Sequence, residues 1–226
     1  MDPRARKAAA SNARWCGAVC RSHGLPAVTS QARWVASEGS PRLYPDVVTL
    51  APAMTAAAVL AGIPERPDCA VKDSFADVEL GPCGFAVVLE ARWLFREAAG
   101  AGRRPRLGWM EVADRDDAAD WIGAAGLEGV LLPELVDDPA VRLLRAGGDG
   151  WVAGAVVHAS EGVADLSNVF LRGIEAGPVW ADLPAAIGQI LGGVPIVGYE
   201  DGEALRTAQA HGFAPVGALR VWARAS

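Results

Sequence analysis

One thirteen-residue stretch occurs twice in this chain. Residues 84–96 read Gly-Phe-Ala-Val-Val-Leu-Glu-Ala-Arg-Trp-Leu-Phe-Arg, and residues 212–224 read Gly-Phe-Ala-Pro-Val-Gly-Ala-Leu-Arg-Val-Trp-Ala-Arg. They align without gaps, and Gly, Phe, Ala, Val and two Arg coincide at about half the positions. The order upstream agrees as well. Val48 to Leu50, a helical stretch and Cys69 to Val71 echo Val169 to Leu171, a helical stretch and Ile196 to Val197. One supersecondary unit used twice explains both; chance similarity in an Ala-, Val- and Gly-rich chain is the alternative. The repeat has a mechanical reading. Glycine ends a helix in a left-handed turn because it has no Cβ to clash, and Phe then anchors the next strand. Arg92 and Arg96, like Arg220 and Arg224, are four apart and share a strand face, where surface exposure is expected.

Composition bounds what such a unit can serve. The chain has 226 residues, 51% hydrophobic and 21% charged, enough for one large domain or two small ones with real cores. Its formal net charge of −6 argues against nucleic acid, since tracking phosphates needs a basic excess. A local basic group, Arg103, Arg104 and Arg106, follows Ala98-Ala99-Gly100-Ala101-Gly102 and reads as a solvated linker. The stretch Val47 to Pro64 lacks charge, but Pro52 divides it, and a strand followed by a helix explains it better than a membrane span. No secretory signal is visible, and the expected location is the cytoplasm. Cys16, Cys20, Cys69 and Cys83 do not make a disulfide framework. Cys16, Cys20 and His23 share a helical face, where buried cysteines are expected and no metal site is assigned.

Periodicity and turn residues predict a helix over residues 8–23, ended by Gly24 and Pro26, and irregular chain over residues 27–45. Strands follow at Val47 to Leu50, Cys69 to Val71 and Phe85 to Phe95, with a helix over Ala53 to Gly62 closed by Gly62 and Pro64. After the linker come a strand over Leu107 to Val112 and a helix capped by Asp114 or Asp116 and running to Ala125. Strands over Val141 to Arg145 and Trp151 to His158 flank a hairpin turn of Gly147, Gly148, Asp149 and Gly150. Ala164 to Leu171 is a strand. Pro184 places the start of the next regular helix near Asp182, because proline is comfortable in a first turn. That helix ends near Gly192, and a strand to Tyr199, a helix over Ala204 to Ala210 and a last strand over Val216 to Ala223 complete the chain. The order β-α-β-β-β-α-β-α-β is an α+β or mixed α/β pattern with a mixed sheet.

The run Ile196-Val197-Gly198-Tyr199-Glu200, then Ala204-Leu205, His211-Gly212-Phe213 and Val216-Gly217, resembles the end of GNAT (N-acetyltransferase) proteins. The resemblance implies a twisted mixed sheet flanked by helices: one complete C-terminal unit over residues 107–226 and a partial N-terminal unit over residues 1–100. It also implies acetyl-CoA as cosubstrate, held between two splayed strands, with the amine of a small molecule or peptide attacking the thioester. Nucleic acid and membrane are not expected partners, and a homodimer is left open. Main-chain groups of Val169, Phe170 and Leu171 would pair with the pantetheine arm as an added strand does. Arg172 and Gly177 match the family's diphosphate loop, whose free N–H groups and helix dipole hold the anion.

The departures from the family lie in the same places. Glu175 replaces the middle glycine of the loop, and Asp182 is expected to cap the donors a phosphate needs. Ala208 stands where the family often has a tyrosine acid. Tyr199 and Glu200 are the substitutes, Tyr199 protonating the thiolate and Glu200 accepting the amine proton; the alternative is a strand-end aromatic and a solvated carboxylate. His158 and Ser160 share a strand face without an orienting acid at fixed spacing, and Lys72-Asp73-Ser74 reads as a surface turn or a cleft wall. Two functions stand side by side: acyl transfer from a CoA thioester to an amine, and a non-catalytic binding module with a degenerate CoA site.

Overall fold

The computed structural model describes residues 2–63, 65–98, 104–148 and 150–225. Ala99, Gly100, Ala101, Gly102 and Arg103 of the expected linker, Asp149 of the expected hairpin turn and Pro64 lie outside the described residues. In chain order the elements are α1 (Pro3–Ser22), β1 (Ala27–Thr29), β2 (Arg33–Ala36), β3 (Val47–Thr49), α2 (Ala56–Leu60), β4 (Ala70–Asp73) and β5 (Phe85–Arg96). They continue with β6 (Met110–Glu111), α3 (Arg115–Ala125), β7 (Val141–Ala146), β8 (Ala153–Ser160) and β9 (Val163–Leu171). The last are α4 (Ala176–Leu191), β10 (Ile196–Glu200), α5 (Gly202–Ala210) and β11 (Ala214–Arg224). This is the mixed α/β pattern the sequence implies. By packing, one unit comprises Met1–Trp93 with Val216–Ser226, and the other Leu94–Pro215. Packing thus assigns most of the last strand to the first unit, whereas the division by repeat follows chain order.

In the first unit, α1 starts where Asp2 accepts the Arg4 N–H and Pro3 takes the first turn. It buries Ala8, Ala9, Trp15, Cys16, Val19 and Cys20, and packs on β1, β2 and β3. The strands β1, β2 and β3 pair antiparallel in sequence, β3 pairs parallel with β4 (Val47 beside Val71), and β4 pairs antiparallel with β11 (Val71 beside Trp222). Val47, Val59, Cys69, Val71, Leu80, Phe85 and Trp222 form the core beneath. The short hairpin of β1 and β2 replaces the irregular chain expected there. It is held by a turn in which the Ser30 hydroxyl accepts the N–H groups of Ala32 and Arg33. Lys72, Asp73 and Ser74 are buried, not a surface turn. The Lys72 ammonium donates to the Asn12 side chain at 2.7 Å, Asp73 accepts the Val78 and Phe75 N–H groups, and the Ser74 N–H donates to the Thr49 hydroxyl.

In the second unit, β6, β7, β8 and β9 pair antiparallel in order, and β9 pairs parallel with β10. Asp114 caps α3, and Gly126, at φ 68°, closes it in the left-handed conformation. The helix α4 differs most from expectation. It begins at Ala176 and carries Pro184 in its interior. Its buried residues Val179, Trp180, Leu183 and Ile187 form one apolar face, and burying that face outweighs the backbone bond that Pro184 removes. Asp182 therefore caps nothing. Its buried carboxylate accepts the Arg106 and Leu107 N–H groups at 2.7–2.9 Å.

Each unit holds one copy of the Gly-Phe junction, and the local geometry is the same. Gly84 and Gly212 have φ of 80° and 85°. Each glycine N–H reaches a carbonyl three residues back, and each Phe N–H a carbonyl five back, the pattern of a Schellman turn. In the first unit the Arg224 guanidinium lies 4.9 Å from the centre of the Phe85 ring; in the second, Arg96 lies 5.5 Å from that of Phe213. These two arginines therefore cover aromatic rings, where the sequence suggested free surface.

Candidate active site

In the second unit β9 runs on past the end of its ladder with β10, and the stretch beyond the last pair is the candidate wedge. Their parallel pairing runs from Ala164 beside Ile196 to Leu166 beside Gly198 and ends there. Two local features mark the end of the ladder. At the last pair they approach so closely that a Cβ on Gly198 would stand 2.6 Å from the Leu166 carbonyl oxygen, so only glycine fits. Just beyond, Asn168 sits at φ 50°, and the register of β8 against β9 shifts between Gly154 and Val156, the signature of a β-bulge. On its other side β9 stays paired, with Phe170 beside Gly154 and Leu171 beside Ala153.

The residues expected to bind a cofactor fall along this path. Val169 and Phe170 are half-buried and Leu171 is exposed, on the stretch of β9 past its pairing with β10. The Phe170 ring itself packs edge-on against Trp121 at 5.1 Å, so only its main chain is offered to the wedge. Arg172 is exposed at the end of β9, and Gly173, at φ 66°, turns the chain toward α4. No side chain caps the N-terminus of α4, which starts after Glu175. Gly177 lies in its first turn, where an added Cβ would stand 3.6 Å from the His211 imidazole Nε2. The first turn of an uncapped helix offers free N–H groups and the positive end of the dipole.

Tyr199 and Glu200 lie at the end of β10, just past its last pair with β9. They are consecutive, so their side chains leave the strand on opposite faces. Both are half-buried. Burial, with the Asp201 carboxylate adding to it, pushes the Glu200 carboxyl up to about 7. Beside them lies a small hollow lined by Leu94, Leu166, Trp180, Val197, Gly198 and Phe213 as well, with no room for a water molecule. Trp180 and Phe213 meet edge to face at 5.2 Å.

Sequence reasoning marked Phe213 as a strand anchor and missed the hollow it lines. The periodicity of α4 points to Trp180, but only with the helix start at Ala176. Asn168 carried a signal too, since Asn tolerates the left-handed region better than most residues. Ala208, where the resemblance would place a tyrosine, is buried in the core.

The fold matches solved structures along the whole chain. A GCN5-related N-acetyltransferase from Kribbella flavida superposes with a TM-score of 0.66 at 17% identity, covering 100% of this chain and 97% of that one. The chain has the GNAT fold. A putative GNAT-family acetyltransferase from Novosphingobium aromaticivorans gives a TM-score of 0.62 at 16% identity, covering 93% and 97%. A functionally unknown conserved protein from Staphylococcus epidermidis gives 0.51 at 10% identity, covering 69% and 71%. At these identities the likeness speaks for the fold. No family model matches the chain, and no curated protein matches its sequence. No helix among the described residues is long and apolar enough to cross a membrane.

Proposed function

We propose that this GNAT-fold chain transfers an acyl group from a CoA thioester to the amine of a small molecule or peptide, using the wedge of its second unit. The observation that carries this reading is the end of the β9–β10 ladder at Leu166 and Gly198, followed by main chain at Val169–Leu171 that an extended pantetheine arm can join. The diphosphate would sit on the uncapped first turn of α4, near Arg172 and Gly177. In the reaction the amine nitrogen attacks the thioester carbonyl, the C–S bond breaks, and the sulfur leaves as thiol. Glu200, with its carboxyl near neutrality, accepts the proton the amine loses; Tyr199 supplies the proton the sulfur gains.

The first unit reads as a partial copy of the same strand–helix–strand arrangement that keeps no wedge. There the Ser74 N–H closes onto Thr49 just past the paired Val48 and Lys72. A cytoplasmic, homodimeric protein fits this reading.

Calorimetric titration with acetyl-CoA tests it: saturable heat is expected, followed by thiol release when amines are supplied. No heat at millimolar ligand overturns it. A second reading, a module that binds CoA or a related anion without turnover, is favoured by Ala208 in the place of the family's tyrosine. Glu175, exposed beside the loop, points the same way. It predicts heat with acetyl-CoA and no thiol release with any amine.

A further inference from the structure

We propose that the cleft between α3 and the β7–β8 hairpin is a second binding site, for a short peptide with a free amine and a free carboxylate. This does not depend on the acyl-CoA reading. The cleft has a volume of about 740 Å³ and opens to solvent. Asp117 and Asp120 line it from α3, and Arg145, Trp151 and Arg172 line it from the sheet. The volume lies in the range of small-molecule sites, about 300–1,000 Å³.

The charges sort by wall. Asp117 and Asp120 are three apart on α3 and share a face of the helix. Arg145 is on β7, and Arg172 follows the end of β9. Among the described residues none of these four side chains has an oppositely charged partner, although all four line one cleft. The backbone keeps them apart. Trp121 on α3 donates from Nε1 to the Leu144 carbonyl oxygen at 2.8 Å, which fixes the helix on the sheet. Arg145 is fixed in the ladder beside Gly154. Its guanidinium lies 5.2 Å from the centre of the Trp151 ring, a contact that orients the cation without neutralising it. Its Nε is buried and, among the described residues, meets no acceptor. A simple anion in this cleft would meet two carboxylates, and a simple cation two guanidinium groups. A molecule with an ammonium at one end and a carboxylate at the other satisfies both walls. The carboxylate can take paired N–H bonds from a guanidinium, and Trp151 offers apolar surface to what lies between. Arg172 is shared with the diphosphate position proposed above, whereas Arg145 belongs to this cleft alone.

The test titrates the full-length chain calorimetrically with four forms of trialanine: free at both ends, N-acetylated, C-amidated, and blocked at both ends. The free peptide is expected to give saturable heat, and each blocked form to bind about tenfold more weakly or worse, since each loses a charged hydrogen-bonding end. Asp117→Asn with Asp120→Asn should weaken the free peptide about tenfold and strengthen the N-acetylated one, a gain that unfolding cannot produce. Arg145→Gln should weaken the free peptide by a similar factor and leave the heat of acetyl-CoA binding unchanged, with a melting curve showing that the variant is folded. Equal binding of all four peptides, or no saturable heat with the free one, overturns the proposal and leaves the acyl-CoA reading intact. Saturable heat with the free peptide and none with acetyl-CoA supports the proposal and overturns that reading.

Discussion

Glu200 sits in an environment that its letter in the sequence does not suggest. In the unfolded chain its carboxyl loses its proton near 4.5, and in the folded chain near 7. Between those values the folded state holds more protons, so stability falls as pH rises through the window. Glu200→Gln removes this dependence. Thermal melts from pH 5 to pH 8 should show the variant losing less stability than the wild type, with a difference of roughly 1–2 kcal/mol once solvent screening of a half-buried group is counted. A wild-type curve that rises from pH 5 to pH 8 while the variant stays flat contradicts burial as the cause of the shift. The sequence places Glu200 at a strand end but says nothing about its burial, because Leu94, Trp180 and Phe213, which line the hollow beside it, come from three distant stretches. Gly198 was likewise legible as a strand residue and illegible as a point of close approach, since the Leu166 carbonyl lies on another strand.

At the scale of elements, local signals served where local chemistry decides. Asp114 caps α3, Gly126 closes it, and both Gly-Phe junctions fold as glycine and backbone hydrogen bonding require. They misled at α4, where proline propensity argued for a start near Asp182 and a long apolar face argued for Ala176. The face prevailed, and the consequence reaches the proposed site. Asp182 turns from a competitor for the diphosphate's donors into an anchor for the chain at Arg106 and Leu107, leaving the first turn of α4 uncapped. Asp182→Ala strands two backbone N–H groups and should cost about 3 kcal/mol in urea denaturation. Asp182→Asn, which keeps one acceptor oxygen, should cost clearly less. If both variants unfold at the wild-type urea midpoint, the anchor contributes nothing. The hairpin of β1 and β2 escaped the sequence reading for a different reason. Its strands are three and four residues long, too short for an alternating pattern to register.

For the whole molecule, chain order and packing order disagree, and the disagreement is testable. Residues 107–226 look self-sufficient in the sequence because they run through every element of the resemblance. Yet β11 pairs with β4, Arg220 to Ala223 lying beside Asp73 to Ala70, and Trp222 completes the core of the first unit. Trp222 is 4% exposed, and a buried tryptophan carries several kcal/mol of the packing around it. Deleting residues 216–226 from the full chain therefore removes both a ladder partner of β4 and a core residue from Met1–Trp93. It takes no residue from the unit of Leu94–Pro215. Hydrogen exchange of the deleted chain should show protection lost first and most over β3 and β4, far more than over β7 and β8. Uniform loss across both sets of strands would mean that the two units fold as one cooperative body. Loss confined to β7 and β8 would mean that the C-terminal strand belongs to the unit its place in the sequence suggests.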